Sequence, residues 1–346
     1  MSKKLYSLLA LVLALTMLLG ACAPAAQPTT EVIVVTEAPK ATEAPAPTQA
    51  PTEPPAPTEA PLDLEAVFSD AFAKIAERKL ATVSAAKLNE ELADKAPFLL
   101  DVRDAAEIEK DGFIAGAINV PIKDLLKNLD KLPGYDEPIV IYCASGHRGG
   151  IALATLTALG YTNVRNLGGG MGAWNKAGLE AVKGEAPKAA EKISTPIVAD
   201  EALFKALDEF LSNLPEGYLT IKADALNEAL ASGKAPTVID LRSVEEWNKD
   251  GYIEGAVNIP FPELMASLDK LPAKDQPIVL LCASGHRGGM ALPALKMLGY
   301  EDVKNLGGGI GAWKAAKMPV VGWVDWTATW SEYLANLPEG FGTIKA

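Results

Sequence analysis

The heptapeptide Cys143-Ala144-Ser145-Gly146-His147-Arg148-Gly149 recurs unchanged as Cys282-Ala283-Ser284-Gly285-His286-Arg287-Gly288. The first copy follows the apolar run 139–142, and the stretch 151–159 after it carries helical spacing and stops at Gly160. A loop between strand and helix turns successive backbone N–H groups inward, and the helix adds the positive end of its dipole. A cysteine at the start of such a cradle has its thiolate favoured, and Arg148 or Arg287 adds a full positive charge. Gly146 permits the curvature, while Gly149 and Gly150 let the helix start close in. Ser145 and His147, with Ser284 and His286, can donate further hydrogen bonds. This arrangement binds an anion and activates a nucleophile at one point.

Other readings of the same residues fit less well. A cysteine at a strand end is often a small buried hydrophobe, but here a glycine-rich, electropositive loop surrounds it twice. A protease-like Cys–His couple normally draws its partners from distant sequence, whereas both histidines of the chain lie four residues after a loop cysteine. Gly168-x-Gly170-x-x-Ala173 mimics a dinucleotide fingerprint, yet it falls at the end of each unit without a second βαβ half. No cysteine sits in a C-x-x-C pair, and a structural zinc site would need four N/S ligands, so neither a metal nor an organic cofactor is indicated.

The elements that must hold these loops are also written twice. One offset of 139 maps Asp101-Val102-Arg103 onto Asp240-Leu241-Arg242, Gly116-Ala117 onto Gly255-Ala256, Leu132-Pro133 onto Leu271-Pro272, and 166–174 onto 305–313. A shared offset of this length means two homologous domains, since solenoid repeats are far shorter. Short continuous apolar runs (98–100, 139–142, 164–167) alternate with helical stretches, which predicts an α/β fold: two domains, each a parallel sheet with helices on both faces. Ligands of such sheets bind at the carboxyl ends of the strands, where Cys143 and Cys282 stand. The Asp101/Arg103 and Asp240/Arg242 pairs are expected to brace the loops rather than meet substrate. Pro293 lies inside the helix after the second loop and should kink or shift it.

Four residues separate Cys143 from Arg148. Cysteine-type phosphatases place five there, and the wider ring holds a tetrahedral phosphate; the shorter one suits a lone sulfur atom on the cysteine. The loop therefore resembles the active-site loop of the rhodanese family. The Asp-x-Arg pairs, Glu107 and Glu246, the turns 112–117 and 251–256, and the Leu-x-Gly-Gly…Trp endings (167–174, 306–313) are similar to the family's landmarks. Phe113 and Tyr252 stand where many members have histidine. The resemblance implies a sulfurtransferase with Cys143 and Cys282 as nucleophiles. Residues 144–149 and 283–288 would then hold the persulfide and a small sulfur-containing anion or thiol. It also implies that the N-terminal copy is often a scaffold without cysteine, whereas here both copies keep the full loop.

Composition bounds the rest. The chain has 346 residues, 32 basic against 44 acidic, for a net charge of −12. That balance argues against a nucleic-acid partner, which needs a basic face. Residues 1–21 have a charged start, a short apolar run and small residues, as a secretory signal does. The closing Leu19-Gly20-Ala21-Cys22 looks like a bacterial lipobox, which would acylate Cys22 and anchor an extracytoplasmic protein to the membrane. In residues 22–61, the 38-residue stretch 24–61 carries ten of the 25 prolines, so no helix or sheet can run through it. It is either a semi-rigid stalk reaching roughly 100 Å or a disordered spacer. The domains then span 62–183 and 200–318, joined by 184–199. In the tail 319–346, Trp323, Trp326, Trp330 and Tyr333 share one helical face, expected to pack on the second domain.

Overall fold

Each central strand is only four residues long and almost wholly buried, because helices cover both of its faces. The computed structural model describes residues 62–322 except 189, 190, 197 and 234, together with 330 and 333–336. The signal segment, Cys22, the proline-rich stretch and most of the aromatic tail lie outside the described residues. Among the described residues no helix is long and apolar enough to cross a membrane.

Asp63 opens α1 (Leu64–Glu77) by accepting from the Ala66 N–H. The first domain continues with β1 (Thr82–Val83), α2 (Ala85–Asp94), β2 (Phe98–Asp101), α3 (Ala105–Asp111), β3 (Ile118–Asn119), β4 (Ile139–Tyr142), α4 (His147–Ala158), β5 (Val164–Leu167) and α5 (Gly170–Lys176). The second repeats the order as α6 (Glu201–Ser212), β6 (Thr220–Ile221), α7 (Ala223–Leu230), β7 (Thr237–Asp240), α8 (Val244–Asp250), β8 (Val257–Asn258), β9 (Ile278–Leu281), α9 (His286–Met297), β10 (Val303–Leu306) and α10 (Gly309–Ala315). Two parallel five-stranded sheets result, ordered β1-β5-β4-β2-β3 and β6-β10-β9-β7-β8. This is the pair of α/β domains that the alternating runs predict. Pro293 does not end its helix: α9 runs for the same 12 residues as α4.

The two sheets share one continuous apolar core. At its centre α4 packs on α9, both buried over nearly their whole length. Glycine permits the approach: a Cβ on Gly150 would come within 2.5 Å of the His286 carbonyl oxygen, and one on Gly289 would strike the His147 carbonyl. The lead-in helices reach across. α1 packs on α4 and also on the 3-10 turns of the second domain, where Phe72 meets Phe261 at 4.6 Å between centroids. α6 packs on the corresponding turns of the first domain, Ile122–Asp124 and Leu126–Lys131. Each domain is therefore completed by a segment that precedes the other in sequence.

Candidate active site

The loop after β4 is shaped by what its carbonyls do. Those of Cys143 and Ala144 accept from the N–H groups of Met171 and Gly172, in the first turn of α5. Gly170 makes this possible, since it sits at φ +56° with its Cα against the Cys143 carbonyl. The Gly146 N–H donates to Cys143 Sγ at 3.1 Å, from a residue in the left-handed conformation (φ 92°) that starts α4. The second loop repeats this geometry. The Ile310 and Gly311 N–H groups bond the Cys282 and Ala283 carbonyls, and the Gly285 N–H donates to Cys282 Sγ at 3.0 Å. Both cysteines are buried and unpaired by disulfide. Ala144 and Ser284 are half-buried, while Ser145 and Ala283 face solvent at the mouths. Gly149 and Gly288 lie against the amides of Asn166 and Asn305, which leave no room for a side chain.

The loop arginines are held by carboxylates. Arg148 donates from both Nη atoms to Glu107, at 2.5 and 2.6 Å. Arg287 does the same to Glu246, at 2.5 and 2.7 Å. Each glutamate also accepts from the N-cap amide of its own short helix, Asp104 or Ser243, which fixes its position. Burial pushes the Glu107 carboxyl up, but the Arg148 contact and the Asp104 amide outweigh it and hold it below the usual carboxylate range. Glu246 is held low chiefly by its bond to Arg287. Burial works against the charge of Arg148, while Glu107 and the nearby Cys143 sulfur more than restore it, so the guanidinium stays charged.

Asp101 and Arg103 are fully buried and joined by three side-chain hydrogen bonds, and Arg103 also donates to the Gly112 carbonyl at 2.7 Å. Asp240, Arg242 and Gly251 repeat the set. These pairs tie the strand ends beside the loops to the turns after α3 and α8.

The histidines depart from expectation. His147 and His286 are named above among the groups that hold substrate, yet their rings leave the loops and enter the other domain. His147 Nδ1 meets the Asn305 amide at 2.7 Å and Nε2 meets the Tyr218 carbonyl at 2.7 Å. His286 Nδ1 meets Asn166 at 2.7 Å and Nε2 meets the Leu80 carbonyl at 3.0 Å. Each asparagine amide also donates to the carbonyl of its own loop, Gly146 or Gly285. The amide is thus a donor toward Nδ1, which fixes Nε2 as the protonated nitrogen. Complete burial lowers both imidazoles to about 4 and keeps them neutral. Both ring nitrogens are spent on the interface, leaving none for a persulfide. Asn166 and Asn305 carry no chemical signal of their own. Their mark in the sequence is that they open the repeated blocks 166–174 and 305–313.

The second site opens into a cavity of about 380 Å³ lined by Cys282, Ser284, Arg287 and Glu246 together with Leu80, Thr82, Val83 and Ser84 of the first domain. Among the described residues no three His, Cys, Asp or Glu side chains gather as metal ligands would.

Comparison with known proteins agrees with this geometry. The family model described as Rhodanese-like domain matches residues 84–177 and 222–316, together more than half of the chain. A sulfurtransferase of Allochromatium vinosum is 38% identical over 104 residues, covering 30% of this chain and 95% of that one. The human thiosulfate:glutathione sulfurtransferase is 34% identical over 110 residues, covering 28% and 94%. Other relatives are longer: the chain spans 54% of one from Bacillus subtilis and 26% of one from Mycobacterium tuberculosis. Among solved structures, a thiosulfate sulfurtransferase from Pseudomonas aeruginosa aligns over 78% of this chain and 53% of its own, at 21% identity and a TM-score of 0.35. With two matched domains, each built around the same cysteine loop, the chain belongs to the rhodanese family.

Proposed function

We propose that the protein is a sulfurtransferase in which Cys143 and Cys282 carry sulfane sulfur from a donor such as thiosulfate to a thiol or cyanide. The observation that carries this reading is the N–H donation onto each sulfur, Gly146 to Cys143 at 3.1 Å and Gly285 to Cys282 at 3.0 Å, beside a carboxylate-held arginine. The thiolate attacks the outer sulfur of thiosulfate. A new S–S bond forms, and the donor S–S bond breaks with its electron pair leaving on sulfite. The persulfide anion then rests among the loop amides, which favour negative charge at that point. Cyanide attacks the outer sulfur, leaves as thiocyanate, and returns the thiolate. No cofactor is needed for the balance.

Thiosulfate should add a single sulfur to each loop cysteine by mass spectrometry, and cyanide should remove it. Cysteines that stay unmodified with every sulfane donor tried end the proposal. The burial of both cysteines also supports a second reading, a persulfide carrier or sulfur sensor with little turnover. Such a protein would load but release thiocyanate only slowly.

The anchor is part of the proposal. Cys22 would be acylated, placing the domains outside the cytoplasm. Labelling with a radioactive fatty acid that persists in Cys22→Ser would remove it.

A further inference from the structure

The two loops match bond for bond, but their roofs do not, and the inference drawn from this rests on the sulfurtransferase reading above. Each roof comes from the other domain. Leu80 and Tyr218 are equivalent residues: each lies two positions before the first short strand of its domain, each has a positive φ (61° and 55°), and each gives its carbonyl to a loop histidine of the opposite domain. Their side chains hang over different sites. Leu80 lines the open cavity at Cys282. Tyr218 lays its ring over the Arg148 guanidinium, 4.6 Å from its centroid, and its hydroxyl donates to Asp104. Asp104 itself stands 3.7 Å from Arg148, and the residue at its place in the second domain is Ser243. Arg148 thus faces two carboxylates and an aromatic face, whereas Arg287 is held by Glu246 beneath an aliphatic roof.

We infer that Tyr218 and Asp104 form a latch that sets donor preference: Cys282 is the loading site for dianionic sulfane donors such as thiosulfate, and Cys143 is screened from them. A dianion approaching Cys143 meets a ring stacked on the guanidinium and the Asp104 carboxylate beside it, with the Lys123 ammonium 5.9 Å from the ring offsetting part of that charge. At Cys282 it meets the hydroxyl-bearing side chains Thr82, Ser84 and Ser284 along an open path to Arg287. Substitution of Tyr218 keeps the bond to His147, because that bond uses its backbone carbonyl.

The experiment uses the full chain and peptide mass spectrometry, which reads each cysteine separately. With thiosulfate, Cys282 should gain sulfur at least about tenfold faster than Cys143. Tyr218→Leu with Asp104→Ser copies the second roof onto the first site and should bring Cys143 within about threefold of Cys282, which itself stays unchanged. The reverse pair, Leu80→Tyr with Ser243→Asp, should slow Cys282. A parallel measurement needs no sulfur transfer. Alkylation by anionic iodoacetate, relative to neutral iodoacetamide, should be disfavoured at Cys143 and not at Cys282, and the bias should shrink in high salt. If neither cysteine takes sulfur but the alkylation bias holds, the latch stands and the sulfurtransferase reading falls. Equal loading of both cysteines, or a Cys143 rate that the paired variant leaves unmoved in a folded protein, overturns the latch.

Discussion

The two halves of this molecule agree where residues hold one another and differ where they face open space. Both loops keep the Sγ bond, the arginine–glutamate pair, the buried aspartate–arginine pair and the crossed histidine; the distances match to about a tenth of an ångström except at the histidine Nε2, 2.7 Å in one half and 3.0 Å in the other. Tyr218 and Leu80, or Asp104 and Ser243, can differ because the bonds the two halves share at those positions are made by a backbone carbonyl or an amide, while the Tyr218–Asp104 side-chain bond belongs to the first site alone. The shared machinery is made of mutual bonds, while the roof is fixed in both halves through its backbone and carries a different side chain in each.

Acid should produce the largest effect. Both loop histidines are held neutral in the folded protein at about 4, against an ordinary imidazole near 6.5. Between those values the unfolded chain binds protons that the folded one refuses. Their contribution is therefore complete above pH 6.5 and is lost as pH falls toward 4. The size is about 3 kcal/mol for each histidine. Protonation would also set an Nδ1–H against the Asn166 or Asn305 amide donor, so the domains should part. Chemical denaturation across pH 4 to 7 measures the slope. His147→Gln and His286→Gln should each remove about half of it, whatever they do to absolute stability. A slope that survives both substitutions would remove the histidines from the account.

Arg103→Met and Arg242→Met come next. Each leaves a fully buried carboxylate without its partner, at about 3–5 kcal/mol. The losses should be close but not identical, since Arg242 Nη1 also donates to the Glu246 carbonyl at 3.4 Å whereas Arg103 Nη1 is buried without a partner. A difference of more than about 1 kcal/mol between the two in urea titrations, beyond the worth of that one bond, would show that the shared bonds do not carry equal energy. Gly150→Ala and Gly289→Ala should each cost about 1–3 kcal/mol, by forcing α4 and α9 apart. Since both press on one helix contact, the double variant should cost clearly less than the sum.

Much of this was legible before any coordinates. The four-residue strands read as apolar runs because both faces are buried, and the cysteine loop announced itself by glycine, charge and repetition together. What escaped notice lies between segments far apart in the chain. The bond from Asn305 to His147 spans 158 positions, and that from His286 to Leu80 spans 206. No periodicity reports such pairs, so a histidine beside a nucleophile reads as chemistry when it is in fact a clasp. Tyr218 escaped for a related reason: it sits in the turn between α6 and β6, and the crossing of α6 onto the first domain brings it over Arg148. The exchange of α1 and α6 is silent in sequence too, since each reads simply as an amphipathic helix opening its own domain.

The smallest effect separates the two sites most finely. Glu107→Gln and Glu246→Gln each keep the shape of the side chain but remove its charge. At the second site this strands Arg287, whose side chain is 10% exposed, with no carboxylate in place of the lost one. At the first, Asp104 already stands 3.7 Å from Arg148 and can take over part of the pairing. Because the glutamates are about a third exposed, solvent reduces both costs. Glu246→Gln should lose about 1–2 kcal/mol at pH 7, and Glu107→Gln roughly half as much. Both glutamates are held below their ordinary value, so their contribution is present above pH 4.5 and fades as pH falls below it. The gap between each variant and the parent should therefore close in acid, measured by urea titration at pH 7 and pH 3.5. Equal losses at pH 7 would show that Asp104 does not share the charge of Arg148, and the electrostatic half of the latch at the first site would lose its support.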